Sequence, residues 1–264
     1  MELSGYDNLL LELRGKILYA QLNRPEQMNS ISPPIELDLI RLIAEVSEAD
    51  DVEVLVLSGA GRAFSAGGDI PFMQESLKDF SVFERSIDRG KQLLTGILDC
   101  RKPIIAKLNG DAIGLGATIA LFCDIVIVDE NARIADPHVK VGLVAGDGGA
   151  IIWPALIGYA KTKRYLLTGE LLTGRVAEEL GLVAYAVPTQ ELDLLVDEIA
   201  SRLANGASKA IRWTKTVINL GLKERLNALV DSGFTYEAMS SRSADHAEAV
   251  NAFIEKRKPV FTGK

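Results

Sequence analysis

Two glycine-rich segments carry the chemistry that is easiest to read in this sequence. Ala63-Phe-Ser-Ala-Gly-Gly-Asp-Ile70 follows an apolar run, and its small residues would let backbone N–H groups approach an anion or a polarised carbonyl oxygen closely. The alternative is a tight strand-to-helix connection without a ligand. Asn109-Gly-Asp-Ala-Ile-Gly-Leu-Gly-Ala-Thr118, about fifty residues on, leads into apolar Ile119-Ala-Leu-Phe-Cys123 and could add N–H donors at a helix start. Neither segment is a dinucleotide or nucleoside-triphosphate motif. Gly114-Leu-Gly116 lacks a third glycine at the required spacing, and no lysine follows a glycine array. His138 and His246 are the only histidines, which excludes a His-rich metal centre. Cys100 and Cys123 have no partners at metal-ligand spacing and are too few for a disulfide framework, so reduced thiols are expected.

The elements that must position these segments follow from apolar patterning. Leu9–Leu13 and Ile17–Leu22 read as a hairpin around Arg14-Gly15-Lys16. Pro33 and Pro34 open a helix on which Ile35, Leu39, Leu42, Ile43 and Val46 recur until the acidic residues from Glu48 to Asp51. Val54–Leu57, Pro103–Leu108 and Ile125–Val128 are short, continuous apolar runs of the kind found in strands buried on both faces. Phe83, Ile87, Leu94 and Leu98 mark a helix between the first two. This alternation predicts an α/β core with crossover connections and loops gathered at one edge, where a binding site belongs. From Glu191 onward only helical patterns occur, with Leu192, Leu195, Val196, Ile199 and Leu203 on one face. No sequence repeat is visible.

Composition narrows the partners. Among 264 residues, 36 Asp and Glu against 29 Lys and Arg give a net charge of −7, which repels a polyphosphate duplex and argues against nucleic acid. With 48% hydrophobic residues the chain is expected to fold into an ordinary globular protein. The amino terminus lacks a signal-peptide pattern and no stretch reaches the ~18 apolar residues of a membrane span. A cytoplasmic protein without membrane attachment is expected.

Leu22-Asn-Arg-Pro25, Phe64-Ser-Ala-Gly-Gly-Asp-Ile70, Lys102-Pro-Ile-Ile-Ala-Lys-Leu-Asn-Gly110, Cys123-Asp-Ile125, Leu167-Thr-Gly-Glu170, Gly181-Leu-Val183 and Phe253-Ile-Glu-Lys-Arg-Lys-Pro259 occur in that order over nearly the whole chain. In these motifs the sequence resembles the crotonase (enoyl-CoA hydratase/isomerase) superfamily. The resemblance implies an α/β spiral of ββα units in residues 1–190, holding an acyl-CoA site, and a C-terminal helical trimerisation region in residues 191–264. It further implies a homotrimer or a dimer of trimers, with coenzyme A entering as part of the substrate and no bound cofactor or metal. Matched motif to motif, the two amides of the family's oxyanion hole belong to Ala66 and Leu115, where Leu115 replaces a usual glycine. Arg24 and the residues Ala63, Phe64, Gly67, Gly68, Asp69 and Ile70 match the coenzyme A and substrate contacts, with Gly114, Gly116 and Thr118 from the second loop. Arg24 could equally be a surface cation at the Asn-Arg-Pro turn.

The sequence departs from the family where the proton chemistry is done. Hydratases of the family use two glutamates as acid and base across a water. Their positions hold Thr118 and His138 here. His138 can take and give a proton near neutrality, and Asp147, nine residues on across a glycine-containing loop, could orient it. The bland readings are a satisfied core histidine and, for Asp147, a helix cap. His246, in a polar stretch, is expected to be a solvated helix residue. Gly146-Asp-Gly148, Ile152-Trp-Pro154 and Tyr165-Leu-Leu-Thr-Gly169 also resemble the β-diketone hydrolase branch typified by oxocamphor hydrolase, which uses a His and Asp pair. Hydration or isomerisation of an enoyl-CoA is therefore the leading expectation. Retro-Claisen hydrolysis of a β-diketone or β-ketoacyl compound is the runner-up, and non-catalytic acyl-CoA binding is a third possibility.

Overall fold

The computed structural model describes residues 1–264. The chain opens with an antiparallel hairpin, β1 (Leu9–Arg14) and β2 (Ile17–Leu22), in the register Leu9 opposite Leu22. Helix α1 (Pro33–Glu48) then crosses to β3 (Val54–Gly59), which pairs parallel to β2. From here the chain winds as a spiral whose turns place one strand in each of two sheets and then a helix. The first turn is β3, β4 (Ala63–Ser65) and the helix pair α2 (Ile70–Lys78) and α3 (Phe80–Asp99). The second is β5 (Ile104–Leu108), β6 (Asp111–Ile113) and α4 (Leu115–Phe122). The third is β7 (Ile125–Asp129), β8 (Arg133–Ala135) and α5 (Gly149–Thr168). A shorter return through β9 (Leu172–Thr173), α6 (Gly174–Leu180) and β10 (Tyr185–Val187) completes the spiral.

The two sheets run β1-β2-β3-β5-β7-β10 and β4-β6-β8-β9. Period-two alternation between two covered faces explains why β3 is buried throughout. Leu55 and Leu57 enter the main core with Leu39, Leu42, Leu94 and Ile97, whereas Val54 and Val56 face a second cluster on the other side of the sheet. That second face is covered by α7 (Thr189–Ala204), whose Leu192, Val196 and Ile199 pack on Ile17, Val54, Val56, Ile105 and Ile127. Each such side chain taken from water is worth roughly 1.5–3 kcal/mol, so α7 is integral to the sheet.

The 33-residue helix α8 (Ser208–Ser240) packs across α3 and α5, and α9 (Ala244–Ile254) returns against the turn at His138–Val141. No helix is long and apolar enough to cross a membrane. The loops after β4, β6 and β8 lie together at one edge of the smaller sheet, because these strands are parallel neighbours.

Candidate active site

The loop after β4 is fixed from beneath by buried Asn29. Its Nδ2 donates to the carbonyls of Ala60 (2.9 Å) and Ala63 (2.8 Å), and its own carbonyl accepts from Ser65 Oγ at 2.8 Å. The loop's amides are then spent one by one. Ala66 N–H donates to Met28 O at 2.9 Å, and Gly67 N–H reaches Ser65 Oγ at 3.2 Å. Gly68 N–H makes no hydrogen bond within the chain. The loop after β6 meets it backbone to backbone, since a Cβ on Gly67 would lie 2.6 Å from Ile113 O. At the end of that loop Gly114 adopts φ +53°, and Leu115 opens α4, where the first-turn amides have no carbonyl one turn earlier.

His138 sits beside these amides between two carboxylates. Nδ1 is hydrogen bonded to Asp136, which is 2% exposed, and Nε2 lies 3.3 Å from Asp147 Oδ2. The other Asp147 oxygen accepts from Thr118 Oγ1 and from Gly149 N–H, both at 3.4 Å. Burial disfavours the charged imidazole, but the charges of Asp147 and Asp136 outweigh it and hold the His138 pKa well above the ordinary 6.5. Glu237 of α8 faces the same group with Oε2 unpartnered, and burial followed by the Asp147 charge pushes its carboxyl well up. The site therefore pairs a charged imidazole and two carboxylates with a carboxyl held toward its neutral form.

Two cavities meet here. The outer, of about 560 Å³, is lined by Ala66, Gly67, Asp69, Ile70, Gly114 and Phe253, among others. The inner, of about 80 Å³, is walled by Phe72, Phe83, Phe234 and Leu143 and contains Leu115, Asp147 and Glu237. Gly68, Met73 and His138 line both. A ligand lying through both would pass its middle between the free Gly68 amide and the imidazole.

Of the residues singled out in the sequence, the structure brings Ala66, Gly67, Gly68, Asp69, Ile70, Gly114, Leu115, His138 and Asp147 to these cavities, and Thr118 to Asp147. Four expectations are corrected. Ala66 lines the outer cavity, but its amide is committed to Met28, so the free donor of that loop is Gly68. Ala63 and Phe64 are strand residues buried in the core and line neither cavity, and Gly116 is packed where a Cβ would meet Ser65. Arg24, expected among the coenzyme A contacts, lines neither cavity and is drawn inward, with Nη1 3.4 Å from Asp69 Oδ1 and 3.3 Å from Ser30 O, so it is not a free surface cation either. His246 is 2% exposed, donates Nδ1–H to Val141 O at 2.7 Å and lines the inner cavity, so it is not a solvated helix residue.

Asp136 and Glu237 also belong to the site and are not among the residues singled out from the sequence. Asp136 was legible as a neighbour two residues from His138, whereas Glu237 reaches the site only through the packing of α8. The nearest ligand atoms of Asp136, His138 and Asp147 lie within 4.8 Å of one another, but a cation would have to displace one of the carboxylates from the imidazole.

Residues 12–264 match the enoyl-CoA hydratase/isomerase family. The chain is 31% identical to a crotonyl-CoA hydratase of Syntrophomonas wolfei, covering 98% of this chain and 100% of the relative. It is 32% identical to a 1,2-epoxyphenylacetyl-CoA isomerase of Escherichia coli, covering 97% and 98%. Among solved structures, an enoyl-CoA hydratase/isomerase from Mycobacterium paratuberculosis superposes with a TM-score of 0.86 at 34% identity, covering 92% of this chain and 97% of that one. With its spiral of ββα turns and its paired glycine loops, the chain belongs to the enoyl-CoA hydratase/isomerase family of the crotonase superfamily and is an enzyme of that family.

Proposed function

We propose that the enzyme adds water across the double bond of a short enoyl-CoA, using His138 and Asp147 where its family uses two glutamates. The observation that carries this reading is the meeting of the two cavities at Gly68 and His138, with Asp147 3.3 Å from the imidazole. The coenzyme A arm takes the outer cavity and the acyl group the inner one. Amide N–H groups of Gly68 and Leu115 donate to the thioester oxygen and stabilise the enolate that forms when water attacks the β-carbon. Asp147 takes a proton from that water, and charged His138 delivers its own proton to the α-carbon. Proton transfer from Asp147 back to His138 restores both groups. Asp136 holds the imidazole from Nδ1, and Glu237, kept neutral, hydrogen bonds the water. Isomerisation uses the same enolate and the same proton carriers without the attack by water.

A second reading is favoured by the placement of His138 between carboxylates. Water activated by this pair could attack the ketone of a β-ketoacyl compound, and the same two amides would accept the released enolate.

Incubation with crotonyl-CoA followed by mass spectrometry tests the first reading. The product should carry one added water, and His138→Ala should lower turnover by about 10²–10⁴-fold while leaving affinity for the thioester within a few-fold. Release of acyl fragments from β-ketoacyl-CoA, with crotonyl-CoA unchanged, would favour the second.

A further inference from the structure

Among the polar groups of the inner cavity that water addition does not use, which include Ser76, Ser86 and His246, Glu36 is the one carboxyl group. Glu36, on the first turn of α1, is 7% exposed, and its Oε2 accepts from Arg89 Nε at 2.7 Å. Its Oε1 has no hydrogen-bond partner in the chain, and the side chain lines the cavity beside Phe72, Phe83 and Phe234. Burial pushes the Glu36 carboxyl up, while Arg89 pulls it back. Stability alone does not account for such a pair. Apolar residues of similar volume generally serve a buried wall as well or better.

We propose that Glu36 selects acyl groups bearing a hydroxyl beyond the reacting carbons and no second carboxylate. The inference rests on the acyl-CoA reading above and names the substrate class of that site. An acyl group entering the inner cavity expels water from Glu36 Oε1. A plain alkyl chain leaves that oxygen unpaired, whereas a hydroxyl donates to it, and the aromatic walls accept the carbon chain in either case. An acyl group ending in a carboxylate meets Glu36 and Asp147 as like charges in a confined apolar space.

Titration calorimetry with saturated thioesters, which bind without being hydrated, tests this directly. Hexanoyl-CoA is compared with 4-, 5- and 6-hydroxyhexanoyl-CoA and with adipoyl-CoA. One hydroxyl isomer should bind about tenfold more tightly than hexanoyl-CoA, and adipoyl-CoA about tenfold more weakly. Glu36→Gln, which can still accept from Arg89, should bring both ratios to within about twofold of hexanoyl-CoA. Glu36→Asp keeps the charge and the rejection of adipoyl-CoA, but its shorter reach should move the preferred hydroxyl toward the chain end. It decides the matter if Glu36→Gln fails to fold. Equal binding of all hydroxyl isomers and hexanoyl-CoA, or a preference unmoved by both substitutions, overturns the inference and leaves acyl-CoA binding intact. Failure of wild type to bind hexanoyl-CoA or any other thioester of the series overturns the acyl-CoA reading itself.

Discussion

In the proposed hydration His138 carries the proton, and its environment sets the direction of proton flow. A histidine whose pKa is raised by Asp147 and Asp136 rests charged near neutrality, so it gives a proton before it takes one. The acid form is lost as pH rises through the raised value. Turnover should therefore stay level through neutrality and fall on an alkaline limb well above 6.5. Asp136→Asn removes one of the two charges and should bring that limb down toward the ordinary imidazole value. A wild-type profile that already falls near 6.5 would contradict the assignment. The same ion cluster stabilises the fold fully below the unfolded imidazole value of about 6.5, and that contribution fades as pH rises through the raised folded value. His138 and Asp147 were legible in the sequence, one from the family's acid/base position and its titration range, the other because it lies nine residues on across a glycine-containing loop. The donor assigned to Ala66 was not, because the sequence does not show which loop amide Met28 O would capture.

At the scale of elements, the site depends on α8 being held against the spiral. Gly146 and Gly233 meet backbone to backbone, and a Cβ on Gly233 would lie 2.6 Å from Gly146 O. This contact sits one residue before Asp147 and one helical turn before Glu237, so it places both acids at once. Gly146→Ala should lower kcat by more than it lowers thioester affinity, and an unchanged kcat would show that the contact does not position the site.

Lys215 anchors the same helix further along. Buried Nζ lies 2.7 Å from Asp124 Oδ2 and donates to Lys102 O at 2.9 Å. Lys215→Met would leave the Asp124 carboxylate, 18% exposed, without its counter-charge and should cost about 2–3 kcal/mol in urea unfolding. A loss below about 1 kcal/mol would mean that the pair does not hold α8. The strands of the larger sheet were readable as apolar runs, except for the three-residue β10. Those of the smaller sheet, such as Ala63–Ser65 and Arg133–Ala135, were not, since three residues are too few to display a period.

For the whole molecule, the fold gathers residues from the chain between Gln27 and Phe253 into one site, which explains why fold class was easier to read than site membership. The repeating ββα turn left no sequence repeat because the helices closing successive turns differ so much in length, from the paired α2 and α3 to the eight-residue α4. Helix α8 also presents Trp213, Val217 and Ile218 to solvent, each about two-thirds or more exposed, a cluster large enough to call for a partner. We propose that copies of this chain cover it in a trimer or a dimer of trimers. Light scattering should return three or six times 28.6 kDa, and a monomeric mass at micromolar concentration would contradict that assembly.

Hydration by a histidine and aspartate pair can be followed by supplying crotonyl-CoA in ¹⁸O-labelled water to wild type and His138→Ala. Wild type should place one labelled oxygen in the product, and the variant should do so about 10²–10⁴-fold more slowly at matched thioester occupancy. Equal labelling rates in both proteins, or no label from a folded wild type that binds crotonyl-CoA, would contradict it.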